Sequence, residues 1–308
     1  MYFRRFLFAF AAILVLQAGV VRAGPALLFD PQRGTILYEE DMDALWHPAS
    51  LTKLMTAYLT FEALRDGKIK MDSKLVCSAA AHAQPPSKIG LPVGGEMSVS
   101  LALRSLIIKS ANDIAYMLAE KVASSHDAFI ARMNATAKRL GMTRTHFTNP
   151  NGLPDKDQVT TARDMGLLAR AILQDFPEHI ELFSEPSVKI GKVRIRSHNR
   201  LLQQFEGADG LKTGFICDSG YNIVASATRD GRRLVAVVFG GESGTKRNER
   251  AASLLDQGFR RYKWKALFGA DIDSASIKAS AADEPESMRP IVCKPRKKVY
   301  SKKPVKKQ

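Results

Sequence analysis

The spacing of apolar positions changes along this chain, and the changes mark out its elements. Ala26 to Asp30 and Thr35 to Tyr38 are short apolar runs on either side of Pro31-Gln32-Arg33-Gly34, which predicts strand, turn and strand. Pro48 to Leu64 predicts a helix with a buried face, ended near Asp66-Gly67. Leu101 to Leu140 predicts helix again, in two pieces parted near Ser124-Ser125. Asn149-Pro150-Asn151-Gly152 predicts a loop, and Thr161 to Leu173 predicts a helix opened by a threonine cap. The last third is different. Gly210 to Phe215 predicts a short strand, and Tyr221 to Thr228 and Arg233 to Phe239 predict a hairpin around Asp230-Gly231. Lys246 to Tyr262 then predicts an amphipathic helix.

These elements assemble into an α/β chain of the α+β kind. An antiparallel sheet is drawn from both ends of the domain and flanked by helices, with a mostly helical insertion between about 65 and 200. A cleft is expected where insertion meets sheet, since ligand sites favour such junctions.

Composition changes this picture only at the two ends. Of 308 residues, 45% are apolar and 25% charged, ordinary for a globular protein. The net charge of +15 is unevenly spread: +5 falls in 271–308 and +3 in the first 23 residues, leaving about +7 for the middle. No basic run there is interleaved with aromatics, so nucleic acid is not an expected partner. Met1 to Arg5 is short and positive, Phe6 to Val21 is nearly all apolar, and Val21-Arg22-Ala23 offers small side chains at the cleavage positions. The expected organisation is a signal peptide at 1–23, a catalytic domain at 24–268 and a basic, disordered tail at 269–308. An uncleaved anchor is the alternative reading of the leader. Either way the protein is exported, to the periplasm or the outer face of the cytoplasmic membrane. The tail lysines and arginines suit a solvated segment, or electrostatic contact with anionic membrane or wall polymer.

Cys77, Cys217 and Cys293 have no CxxC spacing and are expected as three unpaired small hydrophobes, with one bridge and one free thiol as the alternative. A redox role for Cys217 is the sharper reading of that thiol. His47, beside Pro48, reads as a structural hydrogen-bonder, and the other histidines lack ligand spacing. Neither a metal nor a cofactor is expected.

Three short motifs carry the chemistry. Ser50-Leu51-Thr52-Lys53 opens the first predicted helix, and its spacing puts hydroxyl and amine on one face. A lysine whose charge is disfavoured by burial and nearby cations can take the serine proton. Ser110-Ala111-Asn112 lies in the helical insertion, where a hydroxyl could relay a proton and an amide could hold a carbonyl. Lys212-Thr213-Gly214 lies on the predicted strand, where ammonium and hydroxyl suit a carboxylate and glycine admits a ligand to the backbone. Each alone also fits a helix cap, a polar helix break or an edge strand guarded by lysine.

Together and in this order, the motifs resemble those of the penicillin-recognising serine enzymes. The closer likeness is to the D-alanyl-D-alanine carboxypeptidases, through Pro48 to Thr56, Lys109 to Asp113, Asn149 to Leu153 and Asp209 to Phe215, across Ala26 to Tyr262. The resemblance implies a β-lactamase/DD-peptidase-like fold. It also implies a serine carboxypeptidase that removes the terminal D-alanine from peptidoglycan stem peptides through an acyl-enzyme, with β-lactam antibiotics as covalent inhibitors. By the same resemblance Ser50 is the nucleophile and Lys53 its base. Ser110 and Asn112 serve proton transfer and substrate orientation, and Lys212 and Thr213 receive the terminal carboxylate. Backbone N–H groups of Ser50 and Phe215 form the oxyanion hole, and Arg247 helps hold the carboxylate, with Arg250 as a near competitor. Too little chain follows Tyr262 for the β-rich second domain that family members often carry, and the tail lacks the pattern of an amphipathic anchor.

Other readings of the same motifs are a β-lactamase, an endopeptidase or transpeptidase, and a wall-binding protein without chemistry. A class A β-lactamase sets its deacylating glutamate in Glu-x-x-x-Asn. None of Glu120, Glu178, Glu181, Glu185 and Glu206 has asparagine four places on. Penicillin is therefore expected to acylate Ser50 and leave slowly.

Overall fold

The structure is a computed structural model describing residues 24–123, 125–265, 268–273, 275–276 and 282–293. The leader at 1–23 and the basic stretch at 294–308 lie outside the described residues.

Strands β1 (Ala26–Phe29), β2 (Ile36–Glu40), β7 (Ala208–Ile216), β8 (Gly220–Arg229) and β9 (Arg232–Gly241) form a sheet of order β2-β1-β9-β8-β7, antiparallel throughout. The first strand thus pairs with the last, as the pattern predicted. The β8–β9 turn places Asp230 and Gly231 at φ of 50° and 72°. This is the left-handed pair that a two-residue hairpin needs, and the reason for the Asp-Gly.

Both faces of the sheet are covered, so β9 reads as a continuous apolar run rather than an alternation. Leu234, Ala236 and Val238 pack with Ala251 and Leu255 of the long helix α9 (Gly244–Lys265). Val235, Val237 and Phe239 face the helical insertion on the other side.

The chain between β2 and β7 holds helices α1 (Lys53–Arg65), α2 (Ala79–His82), α3 (Val99–Arg104), α4 (Asn112–Val122), α5 (His126–Arg139), α6 (Ala162–Asp175), α7 (Glu181–Ser184) and α8 (Leu201–Gln204), so the helical insertion is longer at both ends than expected. It also holds two small hairpins that periodicity did not announce, β3 (Lys74–Val76) with β4 (Glu96–Ser98) and β5 (Ser187–Ile190) with β6 (Val193–Arg196). Helix α1 is buried nearly all round, from Lys53 to Ala63, which marks it as the central helix of the domain. The Thr161 hydroxyl accepts from the Asp164 N–H at 3.0 Å and caps α6 as expected.

Two helix expectations need correction. Ser50 does not open an α-helix but sits in a 3-10 turn, Ala49–Thr52, entered through Ala49 at φ 48°. In such a turn residues three apart eclipse one another, so Ser50 and Lys53 still align. The stretch 101–140 breaks not only near 124 but also at Ser110: a π turn over Ser105–Lys109 ends with Ser110 at φ 60°, ψ 39°, and α4 starts afresh at Asn112. The Ser-x-Asn motif therefore lies on a helix break, where the backbone can aim both side chains out.

Beyond 268, where a basic tail was expected, the described residues pack on the domain. The Ile36 N–H donates to the Ala270 carbonyl at 2.8 Å, Ile272 is wholly buried, and Met288 is buried against the sheet end. Arg163, paired to Asp43 at 2.6 and 2.8 Å, also donates to the carbonyls of Ile272 and Ala275. The final short helix α10 (Arg289–Val292) leads to Cys293, which is disulfide-bonded to Cys217. The cysteines are thus one bridge and one buried free thiol, Cys77, rather than three thiols. The bridge joins positions 76 apart, a distance only the returning chain closes. Charge composition suggested a solvated tail, but Ile272 and Met288 supply enough apolar surface to dock the segment.

Candidate active site

The 3-10 turn, the helix break at Ser110 and strand β7 converge on one cavity of about 750 Å³, lined among others by Ser50, Ser110, Asn112, Thr213, Gly214, Phe215 and Arg247. Lys53 and Lys212 are not in the lining. Both stand behind it, at 1% and 2% exposure.

Lys53 Nζ is 3.1 Å from Ser50 Oγ and donates to Asn112 Oδ1 at 2.8 Å and to the Asn151 carbonyl. Burial holds its pKa well below the usual lysine range; the Lys212 charge adds to this and Asp113 opposes it. Asp113 is fully buried and accepts the N–H groups of Ile89, Gly90 and Ile114. Asn112 donates its amide to the Pro85 carbonyl at 2.9 Å, so both ends of its side chain are fixed.

Lys212 Nζ donates to Ser110 Oγ at 2.9 Å and to the Thr213 carbonyl at 2.8 Å. Its pKa is pushed down to about 7, by burial first and then by Arg247. Lys212, expected to receive a carboxylate, is not among the residues lining the cavity, but its ammonium is bonded to Ser110, which is. Thr213 and Arg247 are the strand and helix groups that face it.

Arg247 is 6% exposed and is held by Asn248 Oδ1 at 3.0 and 2.8 Å. Burial lowers it to about 10, with Arg200 adding to the effect and Tyr221 opposing it. Its competitor Arg250 points elsewhere, to Glu40 at 2.9 Å and to the Gly24 carbonyl.

The glycine of Lys-Thr-Gly lines the cavity, and it has a second reason besides ligand approach. A Cβ on Gly214 would lie 3.1 Å from both the Pro48 carbonyl and the Ser50 nitrogen, so the Ser50 turn also needs the space. Gly152 serves likewise from the other side. At φ 80°, its Cβ would fall 1.9 Å from the Ala49 oxygen. Strand β7 and the 149–152 loop thus clamp Ser50 between them.

Sequence reasoning did not single out Asn151, Asp113, His198, Arg200 or Arg289 as site residues. Asn151 and Asp113 had a signal, since both lie in stretches that already carried the resemblance. His198, Arg200 and Arg289 line the cavity without any spacing that announces them. His47 Nδ1 lies 3.0 Å from the Gln158 carbonyl, the structural role expected. No carboxylate lines the cavity among the described residues, which leaves it strongly cationic. Among the same residues no cluster of three or more His, Cys, Asp or Glu could hold a metal, and no helix is long and apolar enough to cross a membrane.

A serine beside a buried, charge-disfavoured lysine, set between an antiparallel sheet and a helical insertion, defines the class of penicillin-recognising serine enzymes. The family model described as D-alanyl-D-alanine carboxypeptidase matches residues 14–243, and the chain belongs to that family. It is 38% identical over 262 residues to the D-alanyl-D-alanine carboxypeptidase DacC of Escherichia coli, covering 83% of this chain and 66% of DacC. To DacF of Bacillus subtilis it is 35% identical over 264 residues, covering 83% of this chain and 67% of the relative. The crystal structure of penicillin-binding protein 5 from Haemophilus influenzae superposes with a TM-score of 0.75 at 34% identity, over 77% of this chain and 71% of that one. The chain therefore spans about two thirds of the length of these curated relatives.

Proposed function

We propose that this protein is a serine-type D-alanyl-D-alanine carboxypeptidase acting on peptidoglycan stem peptides, and that penicillin acylates it covalently. The observation that carries this reading is the 3.1 Å contact of Ser50 Oγ with a lysine held well below its usual pKa. A neutral Lys53 amine takes the Ser50 proton as Oγ attacks the carbonyl of the penultimate D-alanine. Backbone N–H groups of Ser50 and Phe215 receive the oxyanion, each such donor being worth about 3 kcal/mol. Thr213 and Arg247 take the terminal carboxylate, and Ser110, hydrogen-bonded by the Lys212 ammonium, relays the proton taken up by Lys53 to the departing amine, which leaves Lys53 neutral again. Water then releases the acyl group from Ser50.

The test is incubation with a pentapeptide ending in two D-alanines, followed by mass analysis. Release of one D-alanine, lost in Ser50→Ala and Lys53→Ala, is expected; an unchanged pentapeptide would sink the reading.

The family's work lies at the cell wall, outside the cytoplasm. We further read 1–23 as the export signal and the periplasm or outer membrane face as the destination. The Cys217–Cys293 bridge supports an oxidising compartment. The basic residues after Cys293 are read as an electrostatic contact to anionic lipid or wall polymer, at about 1 kcal/mol per charge near such a surface. Salt-sensitive sedimentation with anionic vesicles or isolated wall, lost on truncation after Cys293, is the expected result.

A further inference from the structure

After the domain's last long helix the chain returns to the cleft. At the start of its final described stretch, the Ala282 carbonyl accepts from the Leu45 N–H at 3.1 Å and from Arg144 at 2.9 Å. At its middle, the Met288 N–H donates to the Asp218 carbonyl at 2.9 Å, and the buried Met288 side chain lies against Gly220. At its end, Cys293 is bonded to Cys217. Residues 282–293 thus form a strap fastened across the turn between β7 and β8.

Arg289 is the strap residue that lines the cavity. Its Nε and Nη2 donate to the two Asp218 oxygens at 2.9 and 2.6 Å. A guanidinium carries five N–H donors, so these two bonds orient it and leave donors over. Its side chain is 57% exposed, open to a ligand.

The cavity runs along β7, the edge strand of the sheet, with Thr213, Gly214, Phe215 and Ile216 lining it in succession and Cys217 of the following turn after them. A peptide whose terminal carboxylate lies at Thr213 and Arg247, with its reacting carbonyl at Ser50, continues upstream towards Cys217. Four residues of extended chain span about 13 Å. That brings the second residue upstream of the one bearing the scissile carbonyl to the strap.

We infer that Arg289 is a specificity-determining residue that binds a carboxylate carried by the peptide upstream of the scissile bond, and that the Cys217–Cys293 bridge fixes it there. This deepens the carboxypeptidase reading and rests on it. Fixing matters because α10 is a single exposed turn whose own contacts are few.

The experiment uses the full chain and two synthetic pentapeptides ending in two D-alanines, identical except for Glu or Gln at that upstream position. The parent should cleave the Glu peptide with a kcat/KM about fivefold higher, the size of a partly exposed carboxylate–guanidinium pair. In Arg289→Gln the ratio should fall to about one, in Arg289→Lys it should partly return, and in Cys293→Ala it should fall towards that of Arg289→Gln. A pure structural defect would slow both peptides together and leave the ratio alone. Equal rates in the parent, or a preference that survives Arg289→Gln, overturns the assignment. A preference that survives Cys293→Ala overturns the role of the bridge. A parent that cleaves neither peptide and takes no penicillin overturns the carboxypeptidase reading, and this inference falls with it.

Discussion

The Lys212 ammonium donates to the Ser110 hydroxyl at 2.9 Å, across 102 residues of chain. It joins a strand motif to a helix-break motif and leaves Ser110, not Lys212, facing the cavity. With its pKa near 7, Lys212 is an ammonium in acid and a neutral amine in alkali. Protonated, it supplies positive charge behind the leaving-group site and helps depress Lys53.

Activity should therefore fall on the alkaline side. As pH rises through about 7, free-enzyme Lys212 loses its proton, and kcat/KM for a D-Ala-D-Ala peptide should decline. Lys212→Arg keeps the charge and should move that limb to higher pH. A profile whose alkaline limb stays put in Lys212→Arg would show that another group is titrating.

Removing the base should stop chemistry while leaving the cavity in place. Lys53→Met should slow acylation by a fluorescent penicillin by on the order of 10³-fold. Labelling at the parental rate would mean that Ser50 loses its proton elsewhere.

Penicillin, once bound, should stay. No carboxylate lines the cavity among the described residues to activate a deacylating water. Intact-mass spectra should show a long-lived adduct on Ser50; rapid hydrolysis of penicillin by the purified protein would contradict this.

Gly152 should tolerate no side chain. A Cβ there would meet the Ala49 oxygen at 1.9 Å in a backbone of positive φ. Gly152→Ala should cost about 2–4 kcal/mol by thermal or denaturant unfolding and should also slow acylation, since the loop must move off Ser50.

The buried Arg163–Asp43 pair should matter to stability far from the chemistry. Both side chains are nearly inaccessible, and Arg163 also holds the carbonyls of Ile272 and Ala275. Arg163→Ala should cost about 3–5 kcal/mol, because it strands a buried Asp43. Faster proteolysis within 268–276 should accompany the loss.

Much of this was legible in the residues themselves. The apolar strand runs, the Asp-Gly turn and the Thr161 cap are local, set by backbone sterics and by hydrogen bonds a few residues long. The three motifs pointed to the chemistry only together and in order, through the resemblance they carry, since each alone also fits a bland reading. The break at Ser110 was open in the residues as one of two readings, and the tertiary structure decides it: Ser110 turns left-handed and the Asn112 N–H donates to the Ser87 carbonyl at 2.7 Å. The resemblance preferred Arg247 to Arg250, three apart on one helix, and what α9 packs against is what sends Arg250 to Glu40 instead.

What the amino-acid order determined alone was the main strands and helices, their periods and the motifs that carry the resemblance. Tertiary packing decided which groups face the cavity, which stand behind it, and that Cys293 meets Cys217. Those outcomes depend on contacts between residues dozens to hundreds of positions apart. Burial then lowers the pKa of Lys53 and Lys212, an effect that exists only once the surrounding chain has excluded water.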